Sequence, residues 1–199
     1  MTGEFSVFCE AVELCPIGVD DLSAVRHVHC MAIRALGATQ HSEAEIDAYI
    51  KMVRSPYYAE QIMTSDSIAA FFEDSMAGTV GWFPADDTGK AARITHLFVS
   101  PLFTRAGVGK YLLRAIEERA GRAGFEEFIV RVPTTSSSFF RHHGYERSSN
   151  GIQMTPTGTP LPVVFMRRRA DRSELLHFAG FDGSDPAGRS DGADSGKSP

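Results

Sequence analysis

Cysteine is scarce in this chain of 199 residues: Cys9, Cys15 and Cys30 are odd in number and lack ligand-like spacing with histidine. Neither a disulfide framework nor a metal site is expected, and reduced thiols in a cytoplasmic compartment follow. Positive charge is also short. Twenty Lys and Arg against 25 Asp and Glu leave a formal net charge of -5 at pH 7, which makes no electrostatic case for nucleic acid. No apolar run reaches the roughly 18 residues of a membrane span, and MTGEFSVFCE lacks both the basic start and the apolar core of a signal peptide. A soluble, unexported protein without a membrane partner is expected. At 43% hydrophobic residues, the chain can fill one core, so one domain with loose ends follows.

VFCEAVEL reads as a strand stopped at Cys15-Pro16. Helical spacing of Leu22, Val25, Ile33 and Leu36, with Asp20 able to cap and Gly37 to stop, predicts a first helix. Ser42 and Glu45 stand in capping-box spacing before a second, which Pro56 closes or bends. Residues 67–101 read as three strands separated by EDSM and PADDTGKA, a meander of antiparallel neighbours. After Gly109 the period becomes helical, with Val108, Leu112, Ala115 and Ile116 on one face and Arg114, Glu117 and Glu118 largely outside it. FEEFIVRVP, TTSSSFFRHHG, YERSSNG and PLPVVFMRRR complete the order β-α-α-β-β-β-α-β-α-β-β, an α/β class of α+β type. From about Gly180 the composition is too small and polar to repay ordering, and disorder is expected.

TRAGVGKYLL, at the strand-to-helix junction, invites three phosphate-loop readings. A Walker loop needs glycine where Thr104 stands and Ser or Thr where Tyr111 stands. A dinucleotide fingerprint needs glycine at Leu112. What remains is a loop whose backbone N–H groups and helix start surround a pyrophosphate, with Gly107 and Gly109 small for access and Arg105 and Lys110 adding charge. An ordinary glycine-bearing turn is the alternative.

LFVSPLFTRAGVGKYLL and SSSFFRHHGYERS, in this order, resemble the two conserved blocks of the GCN5-related N-acetyltransferase (GNAT) family. With the element order, the resemblance covers about residues 8 to 169. It implies a domain over 8–170, an extension over 171–199, and a mixed sheet of about seven strands flanked by helices and splayed between the fourth and fifth. It implies acetyl-CoA as acyl donor, with no metal, and an amine of a small molecule or protein as acceptor, in a monomer or homodimer. The cofactor would meet Phe98 and Val99 through backbone, then Thr104, Arg105, Ala106, Gly107, Val108, Gly109 and Lys110. Thr104 stands where the family has Gln or Arg.

Transfer from a thioester needs a free amine, a donor for the tetrahedral oxyanion and a leaving thiolate. The resemblance gives the oxyanion to a backbone N–H near Val99. The family's tyrosine beside the sulfur is replaced by Phe140, and an Asn before it by Pro133. Ser137 is a candidate replacement donor, or simply part of the helix start. Strand alternation sets Arg93, Thr95, Leu97 and Val99 on one face and Ile94, His96 and Phe98 on the other, leaving Thr95 and His96 as candidates for the base. His96 needs a bulge to reach the acceptor. His27, His29 and His41 are expected at the surface, His142 and His143 beside a structural turn, Tyr57 and Tyr58 in aromatic packing or at the acceptor, and Arg167 to Arg169 on a solvated strand end. An acyl-CoA-binding module without useful catalysis is the rival reading.

Overall fold

A computed structural model describes residues 11–37, 42–85, 90–155 and 158–170. The expected disordered tail, Cys9 and His41 lie outside the described residues. Strand β1 (Val12–Pro16) leads through a single 3-10 turn at Val19–Asp21 into α1 (Leu22–Gly37). The Asp21 carboxylate accepts the Gly18 N–H at 2.8 Å and holds this entry. Ser42 and Glu45 form the reciprocal capping box that starts α2 (Glu43–Val53).

Pro56 neither ends nor bends α2. It occupies the first turn of a third helix, α3 (Pro56–Thr64), whose N-cap Ser55 accepts the Tyr58 N–H. A proline there loses no helical hydrogen bond, because first-turn N–H groups have no helical acceptor. Three helices therefore follow β1 where the sequence pattern predicts two.

The remaining elements are β2 (Asp66–Phe72), β3 (Ser75–Pro84), β4 (Ala91–Val99), α4 (Val108–Arg122), β5 (Glu127–Pro133), α5 (Ser137–His142), β6 (Glu146–Met154) and β7 (Pro160–Arg169). Seven strands make one mixed sheet in the order β1-β2-β3-β4-β5-β7-β6. Its neighbours are antiparallel except β4 and β5, which run parallel. Helix α4 makes that crossover, as a parallel pair requires.

Alternation along the strands feeds two cores. Ile68 and Ala70 of β2 join Leu112, Ile116, Phe128 and Val130 under α4. Ala69, between them, packs with Val25, Val53, Tyr58 and Ile62 of α1 to α3 on the opposite face. The central strands β2 and β3 are thus buried on both sides, which explains their nearly continuous apolar runs, whereas the edge strand β6 is polar and exposed.

Charge also enters the α4 core, against the sequence reading of that helix. Glu117 and Glu118 are buried rather than solvated. Glu117 accepts the Tyr145 hydroxyl at 2.6 Å and the Arg168 guanidinium at 3.0 Å, while Glu118 pairs with Arg122. Arg168 is accordingly no part of a solvated strand end, since its partner sits inside the crossover. Desolvation and the Glu117 carboxylate push the Tyr145 hydroxyl pKa well up, so it stays a proton donor.

Glu117→Gln should destabilise the fold by about 3 to 5 kcal/mol, because it leaves the Arg168 charge without its buried partner. Urea denaturation checks this. In a cycle with Arg168→Gln the double variant should lose less than the sum of the singles.

Candidate active site

Pairing between β4 and β5 begins at Ala91 with Glu127 and ends at Ile94 with Val130. Beyond that pair β4 runs on to Val99 and β5 to Pro133. The edge of β4 facing β5 over Thr95 to Val99 therefore has no strand partner, the splay expected between the fourth and fifth strands. Backbone groups left open in this way must find another partner.

A bulge sits at the start of the opening. Thr79 lies opposite Phe98 and Gly81 opposite Thr95, so two steps along β3 face three along β4. His96 absorbs the extra residue with φ 54, a left-handed conformation uncommon for a side-chain-bearing residue. Strict alternation fails here. Ala92 and Ile94 face the α4 core, and after the bulge so do Leu97 and Val99. The expected grouping of Leu97 and Val99 with Arg93 and Thr95 is corrected, because one inserted residue moves every later side chain to the other face.

A directed hydrogen-bond chain holds this conformation. The Thr79 hydroxyl donates to the His96 carbonyl at 2.8 Å. Its single proton is then spent, so at 2.6 Å from His29 Nε2 it accepts, and that nitrogen carries the hydrogen. His29 Nδ1 in turn accepts the Tyr58 hydroxyl at 2.8 Å. His29 and Thr79 are wholly buried and Tyr58 nearly so, and His29 also stacks on Phe98 with ring centroids 4.1 Å apart. The surface position expected for His29 is overturned. Its place four residues after Val25 and three before Ala32, both buried, was the available signal.

His96 is buried, with its ring 5.0 Å from that of Tyr58, and its Nδ1 has no hydrogen-bond partner among the described residues. Burial lowers its pKa to about 4, and burial followed by the neighbouring His96 charge lowers that of His29 well below 6.5. Both rings are neutral at pH 7.

The glycine loop forms where expected. Arg105 and Gly107 both have positive φ, 63 and 85. Gly107 is the N-cap of α4 and brings no side chain to it. The Tyr111 N–H reaches back to the Gly107 carbonyl at 3.0 Å, while those of Val108, Gly109 and Lys110 have no helical acceptor. Gly109 answers to packing. A Cβ there would stand 3.4 Å from the Phe139 ring and 3.5 Å from a Val99 methyl. The exposed Thr104 hydroxyl donates back to the Pro101 carbonyl at 2.9 Å. Beside the loop opens a cleft of about 420 Å3 whose walls include Lys110, Arg114, His142, His143 and Arg168. The carboxylate on its wall, Glu117, is already bound, so the cleft presents positive charge. His143 has its pKa lowered by burial first and then by His142, Lys110 and Arg114.

Residues 38–156, more than half of the chain, match the sequence profile described as Acetyltransferase (GNAT) domain. The chain belongs to the GNAT acetyltransferase family. Its fold is similar to that of the GCN5-related N-acetyltransferase from Rhodopseudomonas palustris, with a TM-score of 0.71, 19% identity and coverage of 79% of this chain and 95% of that one. It is also similar to the PaiA N-acetyltransferase from Thermoplasma acidophilum solved with coenzyme A, with a TM-score of 0.64, 18% identity and coverage of 80% and 99%. A curated relative from Bacillus subtilis (strain 168), the uncharacterized N-acetyltransferase YjcF, is 31% identical over 81 residues. That match spans 41% of this chain and 56% of the relative, about half its length.

In this GNAT domain Thr95, His96, Phe98 and Val99 lie along the opening, and Thr104 to Lys110 form the loop at its end. Ser137 is set apart, because its hydroxyl donates to the Thr134 carbonyl at 2.6 Å, the helix-start role. Phe140 is a core residue, 4% exposed and edge-on to Phe139 and Tyr145. Tyr58 is buried, whereas Tyr57 is exposed.

Phe140→Tyr should lower the melting temperature, since a hydroxyl buried there without a partner costs about 1 to 3 kcal/mol. An unchanged melting temperature would reveal a polar edge beside the ring.

The histidines predict a pH dependence. Unfolded, each binds a proton near the ordinary value of 6.5, whereas folded His96 stays neutral down to about 4. Between those values the unfolded chain holds more protons. Stability is therefore full above about 6.5 and falls as pH is lowered from there towards 4. Urea midpoints at pH 7.5 and 5 measure the slope, which His96→Asn should flatten.

Proposed function

We propose that the chain is an acetyl-CoA-dependent N-acetyltransferase that moves an acetyl group to a primary amine by direct attack in a ternary complex. The carrying observation is the unpaired edge of β4 running into a helix start capped only by Gly107. The first offers main-chain partners to an amide-bearing arm. The second offers N–H groups and the positive end of a helix dipole to a pyrophosphate. The PaiA structure solved with coenzyme A supports the same ligand for this chain.

In this reading Phe98 and Val99 meet the pantetheine arm through backbone, with the Val99 side chain in the α4 core and the Phe98 ring stacked on His29. Thr104, Arg105, Ala106, Gly107, Val108, Gly109 and Lys110 surround the pyrophosphate, Thr104 through main chain. The basic cleft past Lys110 and Arg114 takes the remaining phosphate of the donor. The acceptor approaches from the α1 to α3 side, past Thr95 and His96.

Acetyl-CoA supplies the thioester. The amine nitrogen bonds to the acetyl carbon, the carbon–sulfur bond breaks, and a backbone N–H near Val99 steadies the oxyanion between these events. With a pKa near 4, His96 is a poor base for a free ammonium ion. It suits the far more acidic nitrogen formed after attack, which needs only a neutral acceptor held close. The thiolate leaves as a fair leaving group and takes its proton from solvent, since the ring at Phe140 has none to give.

Replacing Gly107 with Val forces a branched side chain into a left-handed conformation at the loop. Coenzyme A affinity by calorimetry should fall at least tenfold, about 1.4 kcal/mol, with helix content by circular dichroism retained. Unchanged affinity removes the site from this loop. Thiol release from acetyl-CoA with an amine panel then reads the chemistry, and tight binding without release would make the domain a non-catalytic binder.

A further inference from the structure

Two arginines stand where β4 and β5 part. Arg93 precedes Ile94 and Arg131 follows Val130, and Ile94 and Val130 are the last paired residues of the two strands. Both of those face the α4 core, so alternation turns Arg93 and Arg131 to the opposite face, the side of α2 and α3. The Arg93 guanidinium lies 5.6 Å from the centroid of the Phe83 ring on β3.

Neither arginine has a carboxylate partner among the described residues. Arg93 Nε is buried with no hydrogen-bond partner. Although much of the Arg131 side chain is exposed, its partial desolvation and then the nearby Arg93 charge lower its pKa. The Tyr57 and Tyr49 hydroxyls, on α3 and α2, are polar groups that also act on it. Two like charges, one with a buried unsatisfied nitrogen, are unfavourable as they stand. An anion between them would relieve the repulsion and fill the open donors, and the planar guanidinium fork matches carboxylate or phosphate oxygens. The net charge of -5 means that this positive spot is not part of a generally basic surface.

Position ties the pair to the reacting centre. Arg93 lies three residues before His96 on one strand, about 10 Å along it at the usual rise of some 3.3 Å per residue. An arginine side chain spans much of that distance.

We infer that the acceptor is a small amine bearing an anionic group, a carboxylate or a phosphate, held by Arg93 and Arg131 at the root of the β4–β5 opening. This rests on the acetyl-transfer reading above and names its substrate class. The acceptor enters with its amine towards His96 and its anion at the arginines. The guanidiniums act as positioning groups, and the amine of the same molecule attacks the acetyl carbon.

The test uses the full chain with acetyl-CoA and reads thiol release over matched acceptors. β-Alanine is set against β-alaninamide and propylamine, and O-phosphoethanolamine against ethanolamine. At least one anionic member should exceed its uncharged partners tenfold or more in kcat/KM, and the two series tell carboxylate from phosphate. Arg93→Gln and Arg131→Gln should each raise KM for that acceptor at least tenfold, with KM for acetyl-CoA and rates with propylamine unchanged. Arg131→Lys should restore part of the loss. Because each glutamine variant removes a like-charge neighbour, its melting temperature without ligand should not fall. Thiol release that is indifferent to acceptor charge, or variants that slow every acceptor alike, overturns this inference alone. Absence of thiol release from every amine overturns the acetyl-transfer reading and this one with it.

Discussion

The extra residue in β4 governs the site. A strand cannot hold His96 at φ 54 without something to oppose the strain, and the opposing force here is a hydrogen bond from the Thr79 side chain to the His96 carbonyl. Thr79 is in turn oriented by His29, and His29 by Tyr58. Each donor in this series has one acceptor, and the series ends on the backbone atom that most needs one. Its burial between α1, α3 and the sheet strengthens every link, because no water competes. The same burial makes a protonated imidazole costly, which ties the shape of the opening to the neutral state of both rings.

From that local distortion follow the larger features. Past the bulge, β4 keeps Leu97 and Val99 in the α4 core while its other edge is left without β5. The bulge lets one strand serve a packed interior and an open edge together. Helix α4 must hold its place over this edge, and the Glu117 ion pair with Arg168 and the Tyr145 hydroxyl anchors it to β7 and to the turn after α5. Gly109 lets the first turn of the helix lie against Phe139 and Val99. The glycine-capped helix start is thereby fixed relative to the strand that runs into it.

The two sides of the opening differ in chemistry. On the loop side the available groups are main-chain N–H and the cations Lys110 and Arg114. On the side of α1 to α3 they are His96, the Arg93 and Arg131 guanidiniums, which have no carboxylate partner among the described residues, and tyrosine hydroxyls. In the proposed reading, a donor with phosphates and an acceptor with an anion of its own would be met by separate positive regions, with the stretch of β4 that holds the neutral His96 ring between them. A low-dielectric centre favours attack by a neutral amine and strengthens the pull of any N–H aimed at the oxyanion.

Much of the architecture was legible in the residues themselves. The Ser42 and Glu45 box, the switch from a period of two to a helical period at Gly109, and the loop glycines are local signals, and local hydrogen bonding or conformation decides each of them. Family resemblance carried the splay and the donor. The third helix was missed because a proline at a first turn and a proline at a helix end look alike until Ser55 is seen to cap. What only the tertiary structure decided has a common character. His29 with Tyr58 and Thr79, and Glu117 with Arg168, are partners 29, 50 and 51 positions apart in the chain, and Arg93 and Arg131 are 38 apart; helical spacing could signal that His29 is buried, but no local pattern names the distant group that will satisfy a buried polar side chain. The parity of β4 belongs to the same class, since a bulge is set by the neighbouring strand and the side chain that supports it, and alternation read from one strand alone assigns Leu97 and Val99 to the wrong face.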